Sequence, residues 1–234
     1  VQGRERLGDA RPLAEDALAY LRGLGAVDDA EVAGSIRRWR DTTGDVDVLV
    51  ASKSGDRVVD AFVEWPAVTD TIEAGESKAS VRIDGIRVDL RVVVPEEFGA
   101  ALQYFTGSKD HNVAVRNRAI EMGLKVNEYG VFDVSELDDP DEGQRVGERV
   151  AGETEQGVYA ALDMAWVPPE LRENRGELER AATGDLPELL GTDDVRGDLH
   201  VHTARSDGEA TIDELVAAAE AYGHDYVSLA DPPT

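Results

Sequence analysis

The chain has 234 residues, enough for one large or two small domains, and 41% of them are hydrophobic, so a packed core can form. It contains no cysteine, which excludes disulfide bonds and thiolate metal sites and is typical of a reducing cytoplasm. No apolar run approaches the roughly 20 residues of a membrane-spanning helix, so we predict a cytoplasmic protein that binds no membrane.

The net charge is −25, with 49 acidic residues against 24 basic ones. Such an acid-rich composition, with only four lysines, is typical of a halophile's cytoplasmic protein, in which salt screens the self-repulsion. It argues against broad, nonspecific binding of DNA, because counterion release drives binding only weakly at high salt. Any contact with nucleic acid must come from local arginines, backbone amides and metal ions.

The first predicted helix covers residues 9–25, with Pro12 in its first turn and Gly23 or Gly25 at its end. A short strand at residues 31–33 then leads into the sequence GSIRRWRDTTGDVDVLV, which begins at Gly34.

This sequence combines several requirements of nucleotide chemistry. Gly34 and Ser35 allow the backbone to approach a phosphate, and two arginines that follow can neutralise it. Gly44 provides a tight turn before a strand that carries Asp45 and Asp47.

Asp45 and Asp47 lie on the same face of that strand, because side chains alternate between faces. Carboxylates at this spacing, roughly 6.5–7 Å along the strand, can bind one divalent cation or bridge two, and oxygen ligands suit Mg²⁺. The alternative is an ordinary exposed strand face, since a chain this acidic contains several such pairs by chance.

A third carboxylate, Asp89, lies in the alternating run at residues 86–94. The preceding strand, 78–83, and the turn residues Asp84 and Gly85 predict a hairpin. If the Asp89 strand lies beside the first acidic strand, three carboxylates form a two-metal site for in-line phosphoryl displacement. The alternative is that Asp89 pairs with Arg87 or Arg91 on a solvated face.

The next segments are mainly helical. We predict helices at 57–62, 96–105, 110–122, within 149–162 and at 176–183, a small hairpin at 125–132, and an irregular acidic segment at 135–147. The sequence YFTGS follows the second of these helices, and its aromatic pair suits core packing equally well. Asn112 and Arg116 lie one turn apart on one helical face. The alternative is that this face is simply exposed to solvent and has no functional role.

A second group of candidate ligands lies near the end of the sequence. His200 and His202 project from one face of a strand, and Asp207 follows in a Ser-Asp-Gly turn. Imidazoles are good ligands of Zn²⁺ or Mn²⁺, although two surface histidines are the alternative. Thr211 and Glu214 predict a capping box for a helix at 212–222, followed by a strand at 226–230.

Several motifs occur in a fixed order, and this set resembles the family X DNA polymerases over residues 10–231. The motifs are GS-x-RR with GDVDVLV, then RVDL, YFTGS and NEY. The set most resembles the bacterial and archaeal branch with a C-terminal PHP phosphoesterase domain, because DLHVHT and SDG resemble the start of that domain. This implies an α+β fold, in which a nucleotidyltransferase palm and a small α/β thumb precede the first βαβ unit of an incomplete PHP (βα) barrel. The expected divisions are the end of the fingers, the palm, the thumb, a linker and the truncated PHP domain, at 1–30, 31–100, 101–172, 173–195 and 196–234.

The resemblance also implies residue roles in transferring a deoxynucleotide to a primer 3′-hydroxyl during DNA repair, with dNTP and primer-template or gapped DNA as partners. The resemblance implies that Asp45, Asp47 and Asp89 are the catalytic residues and bind Mg²⁺ or Mn²⁺. At the PHP remnant, the implied ligands of Zn²⁺ or Mn²⁺ are His200, His202 and Asp207. The nucleotide-binding set is Gly34, Ser35, Arg38, Gly44, Tyr104, Phe105, Gly107 and Asn112, and Arg116 contacts DNA.

Two departures from the family pattern affect these expectations. Trp39 follows the two arginines where the family usually has glycine, and Pro232 replaces an expected histidine after Asp231. We therefore expect no phosphoesterase activity from the short PHP segment, and weak DNA affinity where helix-hairpin-helix modules are missing. The alternatives are a nucleotidyltransferase with another acceptor and an inert fragment of the polymerase.

Overall fold

The computed structural model describes residues 3–139 and 142–232, and the chain divides into two compact units, residues 1–186 and 187–234. Two residues of the predicted irregular segment, 140 and 141, lie outside the described residues. Within the described parts of the chain, none of the helices combines the length and the apolar character that crossing a membrane requires.

A five-stranded sheet forms the centre of the first half of unit one. The strands of this half are β1 (Glu5–Arg6), β2 (Asp29–Val32), β3 (Thr42–Thr43), β4 (Val46–Ala51), β5 (Asp70–Ala74), β6 (Lys78–Ile83) and β7 (Ile86–Val93). The sheet order is β2-β4-β7-β6-β5, and β1 pairs separately with β3. β4 and β7 run parallel, whereas every other neighbouring pair is antiparallel. The two acidic strands are therefore central neighbours.

Three helices accompany this sheet: α1 (Leu7–Arg22), α2 (Gly34–Arg37) and α3 (Gly55–Val63). α1 buries alanines and leucines that recur at helical spacing, and these residues share one core with the valines of β4 and β7. The helix begins at Leu7, so the prediction that Pro12 lies in its first turn was wrong. Pro12 lies inside the helix and cannot donate the backbone hydrogen bond to the fourth residue before it.

The second half of unit one has its own core. Its elements are α4 (Phe98–Thr106), α5 (Lys109–Glu121), β8 (Leu124–Asn127), β9 (Gly130–Asp133), β10 (Glu148–Ala151), α6 (Glu155–Ala160) and α7 (Glu177–Thr183), with 3₁₀ turns at Pro95–Glu97 and Pro169–Leu171. The small sheet has the order β10-β9-β8. Leu178 and Ala181 of α7 are buried in the same core as Tyr159 of α6. This part of the segment predicted as a linker is thus packed against the thumb region.

Unit two is a short βαβ segment with little core. It contains β11 (Gly197–Val201), α8 (Ile212–Ala221) and β12 (Tyr226–Leu229), preceded by a 3₁₀ turn at Thr192–Asp194, and the two strands pair in parallel. The predicted capping box is present, because Thr211 and Glu214 bond reciprocally to each other's backbone amides. Of the described residues in this unit, only Thr203 is buried.

Besides the two-residue strands β1 and β3, two longer strands were not predicted. β5 has no buried residue at all, so its sequence carries no apolar alternation to identify it. β10 overlaps the start of the segment 149–162, within which a helix was predicted and is found at Glu155–Ala160. Both strands are edge strands whose pairing with a neighbour supplies the structure that their own sequence does not indicate.

Candidate active site

Three carboxylates come together on the two central strands. Asp47 lies in β4 directly opposite Asp89 in β7, and Asp45 lies one residue before β4. One ligand oxygen of each of the three lies within 4.8 Å of the others. The condition on which the three-carboxylate site depends, that the two acidic strands lie side by side, is therefore met.

The surroundings of Asp47 raise its proton affinity. Burial, and then the negative charges of Asp45 and Asp89, raise the pKa of Asp47 to about 7 from its ordinary value of 3.8. Three like-charged oxygen donors of this kind fit a hard divalent cation such as Mg²⁺ or Mn²⁺, whose charge would relieve the repulsion. The cluster is thus chemically suited to the predicted metal.

Asp89 is held by two neighbours through a single oxygen. Its Oδ1 atom accepts a short hydrogen bond from the Ser80 hydroxyl on β6 and another, of 2.8 Å, from Arg87 Nε. The alternative pairing of Asp89 with Arg87 is thus present, and it coexists with the carboxylate cluster. Its other oxygen receives no hydrogen bond from the described residues, so it remains available to a ligand.

The Gly34 turn packs directly on the cluster. Gly34 begins α2 with a φ of +61°, in the left-handed region that favours glycine, and a Cβ atom there would lie 2.1 Å from Asp47 Oδ2. Ser35 Oγ lies 2.6 Å from Thr43 Oγ1, which ties the turn to β3. Gly44 lies in the exposed bend between β3 and β4, and its φ is not in the left-handed region.

The two arginines of this turn pair with carboxylates from the second half of unit one. Arg37 binds both oxygens of Glu155 at 2.8 Å, and Arg38 Nε lies 2.9 Å from Glu173 Oε1. Arg38 also donates to the backbone carbonyl of Thr106. A phosphate approaching Arg38 would therefore compete with Glu173 for its guanidinium group.

Glu155 is the centre of a buried ion network. It also accepts a hydrogen bond of 2.6 Å from the fully buried Arg172 and one of 3.1 Å from Trp166. Burial alone would raise the pKa of Glu155, but the hydrogen bond from Arg37 and the charge of Arg172 outweigh it and lower the pKa to about 2. The network therefore holds Glu155 ionised and joins the thumb region to the turn.

The YFTGS motif lies beside both features. The Tyr104 and Phe105 rings meet edge to face at 5.2 Å, and Phe105 lines the same cleft, of about 210 Å³, as Asp47 and Asp89. Gly107 has a φ of +67°, and a Cβ atom there would lie 3.3 Å from Arg38 Nη1. The structure thus brings this predicted nucleotide-binding segment to the carboxylates and the arginine pair.

Asn112 and Arg116 lie on α5, whose N-terminus is capped by the Ser108 hydroxyl. Arg116 is exposed and, with Tyr104, lines a second cleft of about 690 Å³. Asn112 is partly buried, and both ends of its amide form hydrogen bonds inside the protein.

The candidate ligands of unit two also meet, but on the surface. His200 Nε2 lies 3.0 Å from His202 Nε2, and His202 Nδ1 lies 2.5 Å from Asp207 Oδ1. Within the described residues, only the three-aspartate group brings three such ligand atoms within 4.8 Å of one another. The histidine pair and Asp207 are therefore neighbours without a common centre.

Trp39 keeps a backbone conformation that suits glycine. Its φ is +54°, its side chain is half exposed, and the Arg11 guanidinium lies 3.9 Å from its ring centroid. The loop therefore follows a left-handed path despite the tryptophan, and the stacked arginine offsets part of the strain.

Sequence reasoning missed the side chains that support this site. The pairs Arg37–Glu155 and Arg38–Glu173 join residues 118 and 135 positions apart, so no local pattern indicates them. Gln103, which bonds Asn112 from another helix, was missed for the same reason.

Comparison with known proteins identifies the family to which this arrangement is related. Residues 101–173 match the DNA polymerase beta thumb. The chain is 33% identical over 228 residues to a DNA polymerase/3′-5′ exonuclease PolX of Bacillus subtilis, an alignment that covers 96% of this chain and 38% of that protein. Over these matches the chain is similar to DNA polymerases of family X.

A second relative is DNA polymerase lambda of Rattus norvegicus, 27% identical over 176 residues, with 67% of this chain and 30% of that protein aligned. The chain thus spans less than two-fifths of the length of these curated family X relatives. The mixed α+β fold and the thumb predicted from the sequence agree with these matches.

Proposed function

We propose that this chain contains the catalytic part of a family X DNA polymerase, in which residues 31–100 are the palm. The reaction joins the primer 3′-oxygen to the α-phosphorus of a dNTP, breaks the bond to the bridging oxygen and releases pyrophosphate. The observation that carries the proposal is the close approach of Asp45, Asp47 and Asp89 on paired strands. Filling of gaps during DNA repair is the setting that we propose for this activity.

The three aspartates would hold Mg²⁺ or Mn²⁺, which when bound neutralises phosphate charge and makes the 3′-hydroxyl a better nucleophile. The oxygen of Asp89 that receives no hydrogen bond is available to accept the proton of that hydroxyl, because Ser80 and Arg87 engage the other oxygen. Their two hydrogen bonds also fix the carboxylate plane.

The Gly34 turn and Arg38 would bind the triphosphate. The turn brings the Gly34 backbone next to Asp47, the Ser35 hydroxyl lies beside Thr43, and Arg38 supplies a guanidinium group suited to phosphate. Tyr104, Phe105 and Gly107 would contact the sugar, whereas Asn112 and Arg116 would contact the nascent base pair and the template strand. Gly44 would allow the loop to bend around the nucleotide.

For unit two we propose a partial site for Zn²⁺ or Mn²⁺ at His200, His202 and Asp207. The bond from His202 to Asp207 orients its ring in the way that carboxylates orient metal-binding histidines. The halophilic source and the cytoplasmic location stay predictions.

The test of the main proposal is primer extension on a short gapped duplex, with Mg²⁺ or Mn²⁺ and each dNTP, from low to molar KCl. Asp47→Asn should reduce the rate by about 10³-fold, because metal-ion stabilisation of the transition state contributes several kcal/mol. Asp70→Asn, on the exposed edge strand β5 of the same sheet, is the matched control and should retain the rate.

Three other results would contradict the proposal in different ways. Addition that ignores the template would favour a nucleotidyltransferase with another acceptor. Nucleotide and metal binding without addition would favour an inert fragment. Equal activity of the Asp47→Asn variant and the wild type would remove the site assignment.

A further inference from the structure

Gln103 is a polar side chain buried at the contact between α4 and α5, with only 1% of its surface exposed. Its Nε2 atom donates a hydrogen bond of 2.9 Å to Asn112 Oδ1. Asn112 Nδ2 in turn donates a hydrogen bond of 2.7 Å to the backbone carbonyl of Tyr104. A buried amide is normally fully hydrogen-bonded, so these contacts satisfy groups that would otherwise be costly.

Together the two bonds fix which way the Asn112 amide points. The Tyr104 carbonyl can only accept, so it selects the nitrogen end of the amide, and the Gln103 N–H selects the oxygen end. An amide nitrogen carries two hydrogens, and only one is used by Tyr104. The second N–H has no acceptor among the described residues, so Asn112 presents one donor in a fixed direction.

The Gln103 side chain is itself anchored. It also lies close enough to the hydroxyl of the fully buried Tyr159 to favour a lower pKa of that group, against the rise caused by burial. That hydroxyl lies 2.8 Å from His111 Nε2, and His111 Nδ1 lies 2.6 Å from Glu177 Oε1. These buried contacts link Asn112 through Gln103 to α6 and α7, so the direction of its donor depends on the packing of these helices as well as on its own rotamer.

We infer that Gln103 is a positioning residue for nucleotide selection, which aims the free N–H of Asn112 at the minor-groove acceptor of the incoming base. This inference rests on the proposed polymerase function. The acceptors are N3 of a purine and O2 of a pyrimidine, and the minor groove presents one of them for every base. A fixed donor therefore accepts any correctly placed nucleotide and penalises one whose acceptor is displaced.

The competing explanation is that Gln103 merely satisfies its own buried polar groups and holds α4 to α5. Under that explanation, removing the amide would slow incorporation of all nucleotides alike. The two explanations predict different effects of a Gln103 substitution on a nucleotide that lacks the minor-groove acceptor. If Gln103 positions Asn112, the substitution should slow incorporation only of nucleotides that carry this acceptor.

The test compares kcat/KM for dATP and for 3-deaza-dATP, which lacks the N3 acceptor, opposite template thymine. Wild type should prefer dATP by about 10-fold, as expected for one hydrogen bond. Gln103→Leu should reduce this preference to within about 2-fold, and Asn112→Ala should do the same. The double variant Gln103→Leu/Asn112→Ala should lose no further preference, because the two residues act through one contact.

One control variant and one replacement variant complete the test. Gln156→Leu makes the same chemical change on an exposed face of α6 and should keep the preference of wild type. Gln103→Met, which is unbranched and closer to glutamine in shape, replaces Gln103→Leu if thermal melting shows that the leucine variant does not fold. Preference for dATP retained in a folded Gln103 variant, or absent from wild type, would overturn the inference alone. No incorporation of dATP by wild type would overturn the proposed function, and the inference with it.

Discussion

Two groups of candidate metal ligands in this chain differ in the interactions that hold their side chains in place. The aspartate cluster lies on two central parallel strands, and the valines Val46, Val48, Val50, Val88 and Val92 of these strands are buried. The pair His200 and His202 lies in a unit of which Thr203 is the only buried residue among those described. Packing therefore holds the first group, whereas mainly local hydrogen bonds hold the second.

The charges of the two groups differ as well. In the cluster, burial and two neighbouring carboxylates raise the pKa of Asp47 to about 7, and the charges of Arg87 and Arg38 offset this rise only in part. In unit two, the hydrogen bond from His202 lowers the pKa of Asp207 below its ordinary value. Of these two groups, only the aspartate cluster holds like charges together, and that is the arrangement that most needs a cation.

The largest effect should follow from adding one methyl group beside the cluster. Gly34→Ala would place a Cβ atom 2.1 Å from Asp47 Oδ2, at a φ of +61°. We expect primer extension to fall about 10³-fold, because a displaced ligand loses metal stabilisation worth several kcal/mol.

Gly85→Ala is the matched control for this change. Gly85 also has a left-handed φ, of +84°, but a Cβ atom there would have no neighbour within 4 Å. It carries the same backbone strain without the clash, so the rate should stay close to that of wild type. Equal losses in the two variants would mean that strain in the backbone, and not contact with Asp47, limits activity.

The sequence was sufficient to predict this part of the site for a physical reason. Alternation along β4 and β7 shows which face carries the carboxylates, and Asp84 and Gly85 form the predicted turn, with φ values of +50° and +84°. That β4 and β7 pair in parallel, with Asp47 opposite Asp89, was stated only as a condition, because pairing depends on the whole sheet.

The supporting residues could not be predicted in this way. Glu155 lies at the start of a six-residue helix, and nothing in its neighbourhood indicates that it binds Arg37 and Arg172. In the sequence, Gln103 is an ordinary polar residue of α4, and its hydrogen bond to Asn112 exists only because α5 packs against α4. Buried polar networks arise from tertiary contacts, so local propensity and periodicity carry no signal for them.

The second prediction concerns acid stability, which should depend on the buried ion network of unit one. The pKa of Glu155 falls from 4.5 to about 2 on folding, so this group contributes stability that is complete above pH 4.5. That contribution should be lost as the pH falls towards 2, and it amounts to about 3 kcal/mol. The measurement is urea unfolding of unit one, followed by tryptophan fluorescence, between pH 6 and pH 2.5.

Glu155→Gln removes the titrating group and should flatten the dependence of the free energy of unfolding on pH in this range, at the cost of a lower value at pH 7. Glu153→Gln, two residues away and exposed, should leave both quantities close to those of wild type. An unchanged pH slope in Glu155→Gln would show that other carboxylates cause the loss of stability in acid.

The third prediction tests whether only the aspartate cluster is stabilised by a cation. At a Mg²⁺ concentration tenfold above its dissociation constant, the free energy of unfolding of unit one should rise by about 1.4 kcal/mol. Asp47→Asn should abolish the gain, whereas Asp70→Asn should retain it. A gain of equal size in all three proteins would point to general screening of the −25 charge and not to a site.

The smallest effect on polymerisation should come from the histidine pair. His202→Ala removes the contacts to His200 Nε2 and Asp207 Oδ1, but these residues lie on the surface of unit two, outside the compact unit that holds the aspartate cluster. We expect primer extension to change by less than about 2-fold, because surface substitutions away from a site rarely exceed about 0.5 kcal/mol. Calorimetry with Zn²⁺ on the same variant should show weaker binding, since one imidazole ligand is gone. A large loss of polymerisation with Zn²⁺ binding unchanged would reverse the assignment, because the histidine would then serve the polymerase reaction and not a second metal site.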